Sequence, residues 1–526
     1  MNRKTQFTLA VALVLGILGV RHFTDRAKEP APATAVATSP ADAARNEALA
    51  KNAAPAITRR LGRLAFTPCT LAPEFGTQSV DAHCSRLEVP ENRALPNGRK
   101  VRLAIAWVPA RREGEPDPMF MLAGGPGQSA LESYPSIAAA FSEVNKTRDL
   151  ILVDQRGTGG SNKLVCEDSQ GQSAVVDEED YTLEAARAFA ARCAQTLSKT
   201  ADLRFYSTSD AIQDLDDVRQ AIGAERINLM GISYGTRVAQ QYASRYPAHT
   251  RTLTLDGIVP NTLVLGNHHA RNLEKSLDMQ FSRCRQSKPC MEKLGDPRTR
   301  LNTLMATLAS NLPMVTYRDA ITGESKHEKL TPGHIAGLAR MFAYAPQVAG
   351  LLPLELNEAA QGRYEPLMAL AKLLSRTIGG QIMHGMQLSV ICAEDADEMA
   401  VDDADRGSLI GVDLITMMQA QCSAWPKGER PANFRAPLSG QVPVLVLSGE
   451  FDPVTPPRYG DEIAKTLPNA RHLVVRGQGH NVLPVGCLPK LFAAFVASGD
   501  AKALDATCLD KVPYAQPFTG FYGWEP

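Results

Sequence analysis

Three stretches far apart in the chain carry residues that could together cleave an acyl bond. Ser233 stands in Gly231-Ile232-Ser233-Tyr234-Gly235, between the apolar "RINLM" and the helix-like "TRVAQQYASRY". A serine on a sharp strand-to-helix turn needs flanking glycines, because bulkier neighbours would clash. Such a turn lifts the hydroxyl above the sheet edge and aims the next helix N-terminus at it. A hydroxyl is inert at neutral pH without a base. His480, in "GQGHN", follows the last expected strand, where an open sheet delivers side chains beyond its carboxyl ends. The third member must hold the imidazole in its productive tautomer. "LSGEFDPVTP" offers Asp452 and Glu450. Asp452 is favoured, because Pro453 stiffens its turn and the chain order becomes Ser, Asp, His. Asp256, after "RTLTL", is a further loop carboxylate with less claim.

Acyl transfer also requires donors facing the developing oxyanion. The Tyr234 backbone N–H is one candidate. The other comes from "LAGGPGQSA", where Gly124, Gly125 and Gly127 let the backbone approach a ligand and Pro126 fixes the bend. The Gly125 N–H is the chosen donor there. His268 and His269 read as solvated or core-edge residues. The sequence has no HExxH, CxxC, zinc-spaced Cys/His cluster or calcium loop, so neither a metal nor a cofactor is expected.

The scaffold that would gather these loops is an α/β fold with a mostly parallel sheet. "PMFMLAG", "RDLILVDQ", "RINLMGIS" and "RTLTLDGI" are continuous apolar runs ending in Gly- or Asp-containing corners, the pattern of strands buried on both faces. "SRLEVPEN" and "VRLAIAWVPA" precede them as a hairpin. From about residue 263 to 434 strand signals nearly vanish, and segments such as "HIAGLARMFAYA" show helical spacing. Strands return as "VPVLVLSGE" and "RHLVVRGQG". The reading is one sheet in two parts, residues 57–262 and 435–526, interrupted by a helical cap over 263–434.

The N-terminus is of another kind. "MNRK" is followed by fourteen uncharged residues, 7–20, and then by "RHFTDR". Residues 1–26 thus read as a secretory signal peptide or an uncleaved anchor, and the Ala/Pro-rich 27–56 as a linker. Ten cysteines accompany this export signal. In an oxidising compartment all can pair, most cheaply between sequence neighbours: Cys69–Cys84, Cys166–Cys193, Cys284–Cys290, Cys392–Cys422 and Cys487–Cys508. Each closed loop would contribute about 2–4 kcal/mol. Lys plus Arg equal Asp plus Glu, at 56 each, so no long-range field favours nucleic acid. Membrane contact is expected only through the N-terminal anchor, and the chain is expected to be periplasmic or secreted.

"GGPG", "DQRGTGGS", "GISYG", "GEFDPVTP" and "GQGH", in this order, resemble the prolyl and tripeptidyl aminopeptidase family of serine α/β-hydrolases. The resemblance spans roughly residues 60–510 and is nearest to the secreted tripeptidyl branch. It implies Ser233, Asp452 and His480 as a triad, with Gly125 and Tyr234 as oxyanion donors. Ala123 stands where the iminopeptidases carry His before GGPG, so proline specificity is not carried over. Asp154 and Arg156 of "DQRG" read as braces of the loop beside the site. Family members act on free peptide N-termini and hold the ammonium with acidic residues of the cap. In "VICAEDADE", Glu394 and Asp395 lie beside Cys392 and are the expected amine-binding pair.

The function that follows is a secreted serine exopeptidase releasing tripeptides or similar fragments from short peptide substrates. The alternatives are a carboxylesterase or lipase, which uses the same triad, and a binding module on an inactive hydrolase scaffold. The sequence carries no signal for oligomeric state.

Overall fold

A computed structural model describes residues 57–73, 78–167, 174 and 182–523. The signal or anchor at 1–26 and the linker at 27–56 lie outside the described residues. The strands in chain order are β1 Arg59–Leu61, β2 Leu64–Leu71, β3 Val80–Pro90, β4 Lys100–Val108, β5 Met119–Leu122 and β6 Leu150–Val153. They continue as β7 Ile227–Ile232, β8 Thr250–Asp256, β9 Met314–Arg318, β10 Ser325–Lys329, β11 Val444–Gly449 and β12 Ala470–Val475. Ten form one sheet in the order β1-β2-β3-β4-β6-β5-β7-β8-β11-β12. The first four are antiparallel neighbours and β4 also meets β6 antiparallel; the six from β6 to β12 run parallel. This is the α/β-hydrolase fold expected from the sequence.

The continuous apolar runs have a simple cause. Phe120, Leu122, Ile151, Val153, Val444 and Val446 belong to the core on one face of the sheet. Their neighbours Met119, Met121, Leu150, Leu152, Leu445 and Leu447 belong to the core on the other. Successive side chains point to opposite faces, and helices cover both. Where strand order reverses, β5 leaves toward β6 while the chain returns on its other side as β7. Loops at the carboxyl ends of β5 and β7 therefore flank the crevice at the switch point. These are the loops of Gly124–Gly127 and Ser233.

Between β8 and β11 the helices fall into two layers. His269–Arg285, Pro297–Ser310, Pro332–Ala343, Leu352–Ala360 and Glu365–Gly379 share a core of their own that includes Leu277, Phe281, Leu304, Phe342 and Met368. His384–Glu394 and Asp413–Cys422 instead join the core of the sheet through Met386, Val390, Ile391 and Cys422. The interval is thus an outer lobe standing on an inner layer. One departure from the sequence reading is the antiparallel hairpin β9–β10, where Met314 pairs with Lys329 and Arg318 with Ser325. Its buried Val315 and Tyr317 face the lobe core and alternate with exposed neighbours, the period of a half-buried ribbon.

All five sequence-adjacent cysteine pairs are bonded, and no cysteine is free among the described residues. Among the described residues, no helix is long and apolar enough to cross a membrane.

Candidate active site

The turn at Ser233 owes its shape to its two glycines. Ser233 has φ 54° and ψ −122°, between the end of β7 and the helix Tyr234–Arg245. A Cβ on Gly231 would lie 2.5 Å from the Gly235 carbonyl oxygen, and one on Gly235 would lie 2.2 Å from that of Leu122. Side chains at either position would push the helix off the sheet, so both are glycine by contact. The strained φ of Ser233 is held by its own N–H, which donates to the Asp256 carbonyl at 2.9 Å. Ser233 sits where a helix N-cap serine stands, yet its hydroxyl makes no capping bond. The hydroxyl is partly exposed and free for chemistry.

Gly124 brings the loop after β5 against this turn, since a Cβ there would meet the Ser233 Cβ at 3.1 Å. Gly125 is exposed at φ +104°, a conformation open to glycine alone at little cost. Tyr234 is the first residue of its helix, where backbone N–H groups lack intrahelical partners. The two expected oxyanion donors therefore lie on the two loops that meet at the switch point. Asp154 braces the first loop: it accepts from the Ser129 hydroxyl at 2.6 Å, the Leu131 N–H at 3.1 Å and the Gly160 N–H at 2.8 Å. Arg156 is fully buried and forked onto Asp214, with both N–O distances 2.7 Å, and donates to the Glu91 and Phe205 carbonyls. Both "DQRG" residues are braces.

His480 follows β12, and its Nδ1 lies 2.7 Å from Asp452 Oδ2. Asp452 is fixed by the Val454 N–H, the Thr455 N–H and the Thr455 hydroxyl at 2.8, 2.7 and 2.8 Å. Burial would raise the Asp452 carboxyl, but the facing imidazole and these donors outweigh it and hold it below its ordinary value. For His480, burial pulls the imidazole down, while the charge and hydrogen bond of Asp452 prevail and raise it. With Nδ1–H donating to Asp452, Nε2 is the free acceptor. The ring sits beside Ser233's neighbourhood, for a Cβ on Gly257 would meet His480 Cε1 at 2.8 Å.

The other loop carboxylates have different tasks. Glu450 accepts from the Gly477 N–H at 2.7 Å and the Tyr514 hydroxyl at 3.1 Å. Asp256 accepts from the Val482 and Leu483 N–H groups at 3.0 and 2.8 Å, and burial raises it to about 6. Both hold the loop that carries the base. The sequence reading missed Thr455 and Tyr344. The Tyr344 carbonyl accepts the His480 N–H at 2.8 Å, and its ring meets the imidazole edge-on at 5.1 Å. The outer lobe thereby roofs the base.

The expected amine-binding pair is found buried among partners of the protein's own. Glu394 and Asp395 are only 1% and 0% exposed and are already partnered. Asp395 meets Arg237 and Arg435, each at 2.9 Å, and accepts the Leu265 N–H at 3.0 Å. Glu394 accepts from the Thr208 N–H at 2.6 Å and hydroxyl at 2.9 Å; burial, more than any neighbour, lifts its carboxyl to about 7. The Thr208 hydroxyl in turn lies 2.6 Å from the Tyr234 hydroxyl. The acidic pair ties the helix Tyr234–Arg245, through Arg237, to Thr208, Leu265 and Arg435. Arg237, on that same helix, is the partner a linear reading could not supply. His268 Nδ1 lies 2.8 Å from the Tyr459 hydroxyl, and His269 starts the first cap helix. Among the described residues no His, Cys, Asp and Glu cluster is arranged to hold a metal ion.

Sheet order, nucleophile turn and base loop define a serine hydrolase of the α/β-hydrolase fold. Residues 117–289 match the sequence profile described as "alpha/beta hydrolase fold", and residues 407–508 match that of "TAP-like protein". The chain thus has the α/β-hydrolase fold, and its C-terminal part is similar to TAP-like proteins. It is 24% identical over 481 residues to the serine protease Hip1 of Mycobacterium tuberculosis, covering 84% of this chain and 90% of that protein. It is 24% identical over 469 residues to the tripeptidyl aminopeptidase of Streptomyces coelicolor, covering 82% and 84%. Carboxylesterase B of Mycobacterium tuberculosis is 25% identical over 421 residues, covering 73% and 78%.

Proposed function

We propose that the protein is an exported serine exopeptidase that removes tripeptides or similar short fragments from the free N-terminus of peptides. The observation that carries this reading is the Asp452–His480 pair beside a serine turn, with the helical lobe resting on the base through Tyr344. His480 Nε2 takes the Ser233 proton as Oγ attacks the scissile carbonyl. Asp452 keeps the tautomer and stabilises the imidazolium. The Tyr234 and Gly125 N–H groups receive the negative charge on the carbonyl oxygen. His480 then gives its proton to the leaving amine, and water activated by the same nitrogen releases the acyl fragment. The lobe excludes folded proteins, which limits substrates to short peptides. Five disulfides fit an oxidising compartment and hence export. The names of the relatives Hip1 and tripeptidyl aminopeptidase support peptide substrates.

The similarity to carboxylesterase B favours a second reading, hydrolysis of small esters. Peptides with free and with N-acetylated amino ends, assayed with product masses read out, separate the two. Preferential cleavage of the free-amine series with release of short fragments supports the exopeptidase. Indifference to acetylation, with faster turnover of simple esters, supports the esterase.

A further inference from the structure

One helix of the inner layer touches both loops that carry the expected oxyanion donors. His384–Glu394 begins against the loop after β5: the Met383 N–H donates to the Gly127 carbonyl at 2.9 Å, and Gln128 forms an antiparallel bridge with Ile382. The approach is close, for a Cβ on Gly127 would lie 2.8 Å from the Met383 carbonyl oxygen. The same helix ends in Glu394, whose carboxyl accepts the Thr208 N–H at 2.6 Å and the Thr208 hydroxyl at 2.9 Å. The Thr208 hydroxyl lies 2.6 Å from the Tyr234 hydroxyl, to which the Gln155 amide donates at 3.2 Å. With Glu394 ionised the order of donors is settled: Thr208 gives its proton to Glu394, and Tyr234 gives its own to Thr208.

Helix capping does not account for this chain of contacts, because the helix Thr208–Ile222 already has a complete capping box in Ser207 and Asp210. Charge pairing does not account for it either. Arg237 stands 3.9 Å from Glu394 and is committed to Asp395 at 2.9 Å. Glu394, Thr208 and Tyr234 are all fully buried, so bulk water does not stand in for a lost partner. Tyr234 carries one of the two expected donors on its backbone and opens the helix behind Ser233. A side chain pinned at its far end leaves its own N–H little room to shift. Oxyanion donors act only when held in place before the charge develops, and their supporting contacts decide that placement.

We propose that Glu394 and Thr208 are positioning residues of the oxyanion site: acting through the Tyr234 hydroxyl, they hold the Tyr234 N–H at a fixed spacing from the loop of Gly125. This rests on the Ser233 reading of the site. It applies to peptides and esters alike, since both pass through a tetrahedral oxyanion.

The test uses three probes: p-nitrophenyl butyrate as substrate, an alkyl trifluoromethyl ketone that adds to the serine as a hemiketal oxyanion, and the matching carbinol, which cannot add. Thr208→Val keeps the N–H and the shape but loses the hydroxyl. In this variant kcat should fall about ten- to hundredfold while KM stays within about twofold. The inhibition constant of the ketone should rise about tenfold or more, and that of the carbinol should stay within about twofold. Tyr234→Phe should reproduce the pattern. Glu394→Gln, which still accepts the Thr208 N–H, should lose less than Glu394→Ala. If Thr208→Val fails to fold, Tyr234→Phe carries the test, since it removes a single oxygen from the end of the chain of contacts. Unchanged kcat and ketone binding in the folded variants, or equal weakening of ketone and carbinol, overturns the proposal. A wild-type protein that neither takes a fluorophosphonate label on Ser233 nor prefers the ketone to the carbinol overturns the serine hydrolase reading with it.

Discussion

Two Ser–His–Asp arrays stand among the described residues, and they differ in how the serine is presented. In the second, His472 Nε2 lies 2.9 Å from Ser448 Oγ and His472 Nδ1 lies 2.9 Å from Asp461 Oδ1. Both of its contacts are of hydrogen-bond length, whereas in the first array the direct hydrogen bond is that of His480 to Asp452 at 2.7 Å. Ser448, however, is a fully buried residue of β11, inside the sheet's own packing. No strained turn lifts it, and no helix N-terminus points at it. A Cβ on Gly460 would lie 2.4 Å from His472 Nε2, so the array clamps the helix Pro457–Thr466 onto β11 and β12. In the first array the serine is partly exposed at a positive φ, flanked by two loops with free N–H groups, and its base is gripped from the lobe. Hydrogen-bond order alone does not make a nucleophile. Exposure and pre-placed donors around the serine do.

The contrast can be broken most sharply at the serines. Ser233→Ala should cost about 10^4-fold or more in kcat and abolish fluorophosphonate labelling. Ser448→Ala should leave labelling intact. Label retained in Ser233→Ala would erase the distinction.

The carboxylates come next. Asp452→Asn should lower kcat by about 10^4-fold through the wrong imidazole tautomer. Asp461→Asn, altering an exposed partner, should stay within about twofold of wild type. Steady-state kinetics of the two variants side by side decide the matter.

A smaller effect concerns pH. Activity needs neutral His480, whose pKa is raised, so it should fall on acidification with a midpoint above the ordinary 6.5. Asp452→Asn should move that midpoint down. Stability runs the other way. The raised His480 contributes stability that is fully present below about 6.5 and lost as pH rises through its folded value. The lowered Asp452 contributes stability above its ordinary 3.8, lost as pH falls through its folded value. Thermal unfolding across pH, compared with the rate profile, should show the two trends crossing. A rate profile flat through the mildly acidic range would contradict a histidine base.

Much of the scaffold was legible because its signals are local. Buried parallel strands are apolar throughout, and a glycine pair around Ser233 reports contacts with the next turn and the neighbouring strand. The positions of Asp452 and His480 followed from the strands that precede them. What escaped depends on partners distant in sequence. Glu394 and Asp395 read as a ligand pair because nothing local reveals that Arg237 and Arg435 await them. Tyr344 closes an ordinary amphipathic helix, and its nearness to His480 is a fact of tertiary packing. The β9–β10 hairpin is five residues per strand with polar outward positions, too short to stand out among helices. The second array escaped because its three members share no motif.

The central claim is that Ser233 carries the acyl group during turnover. Acid quenching with a slowly deacylated peptide ester, then proteolysis and mass mapping, tests it directly. The acyl mass should fall on the peptide containing Ser233 and vanish in His480→Ala. Turnover with no acyl adduct, or with the adduct on another side chain, would contradict the account.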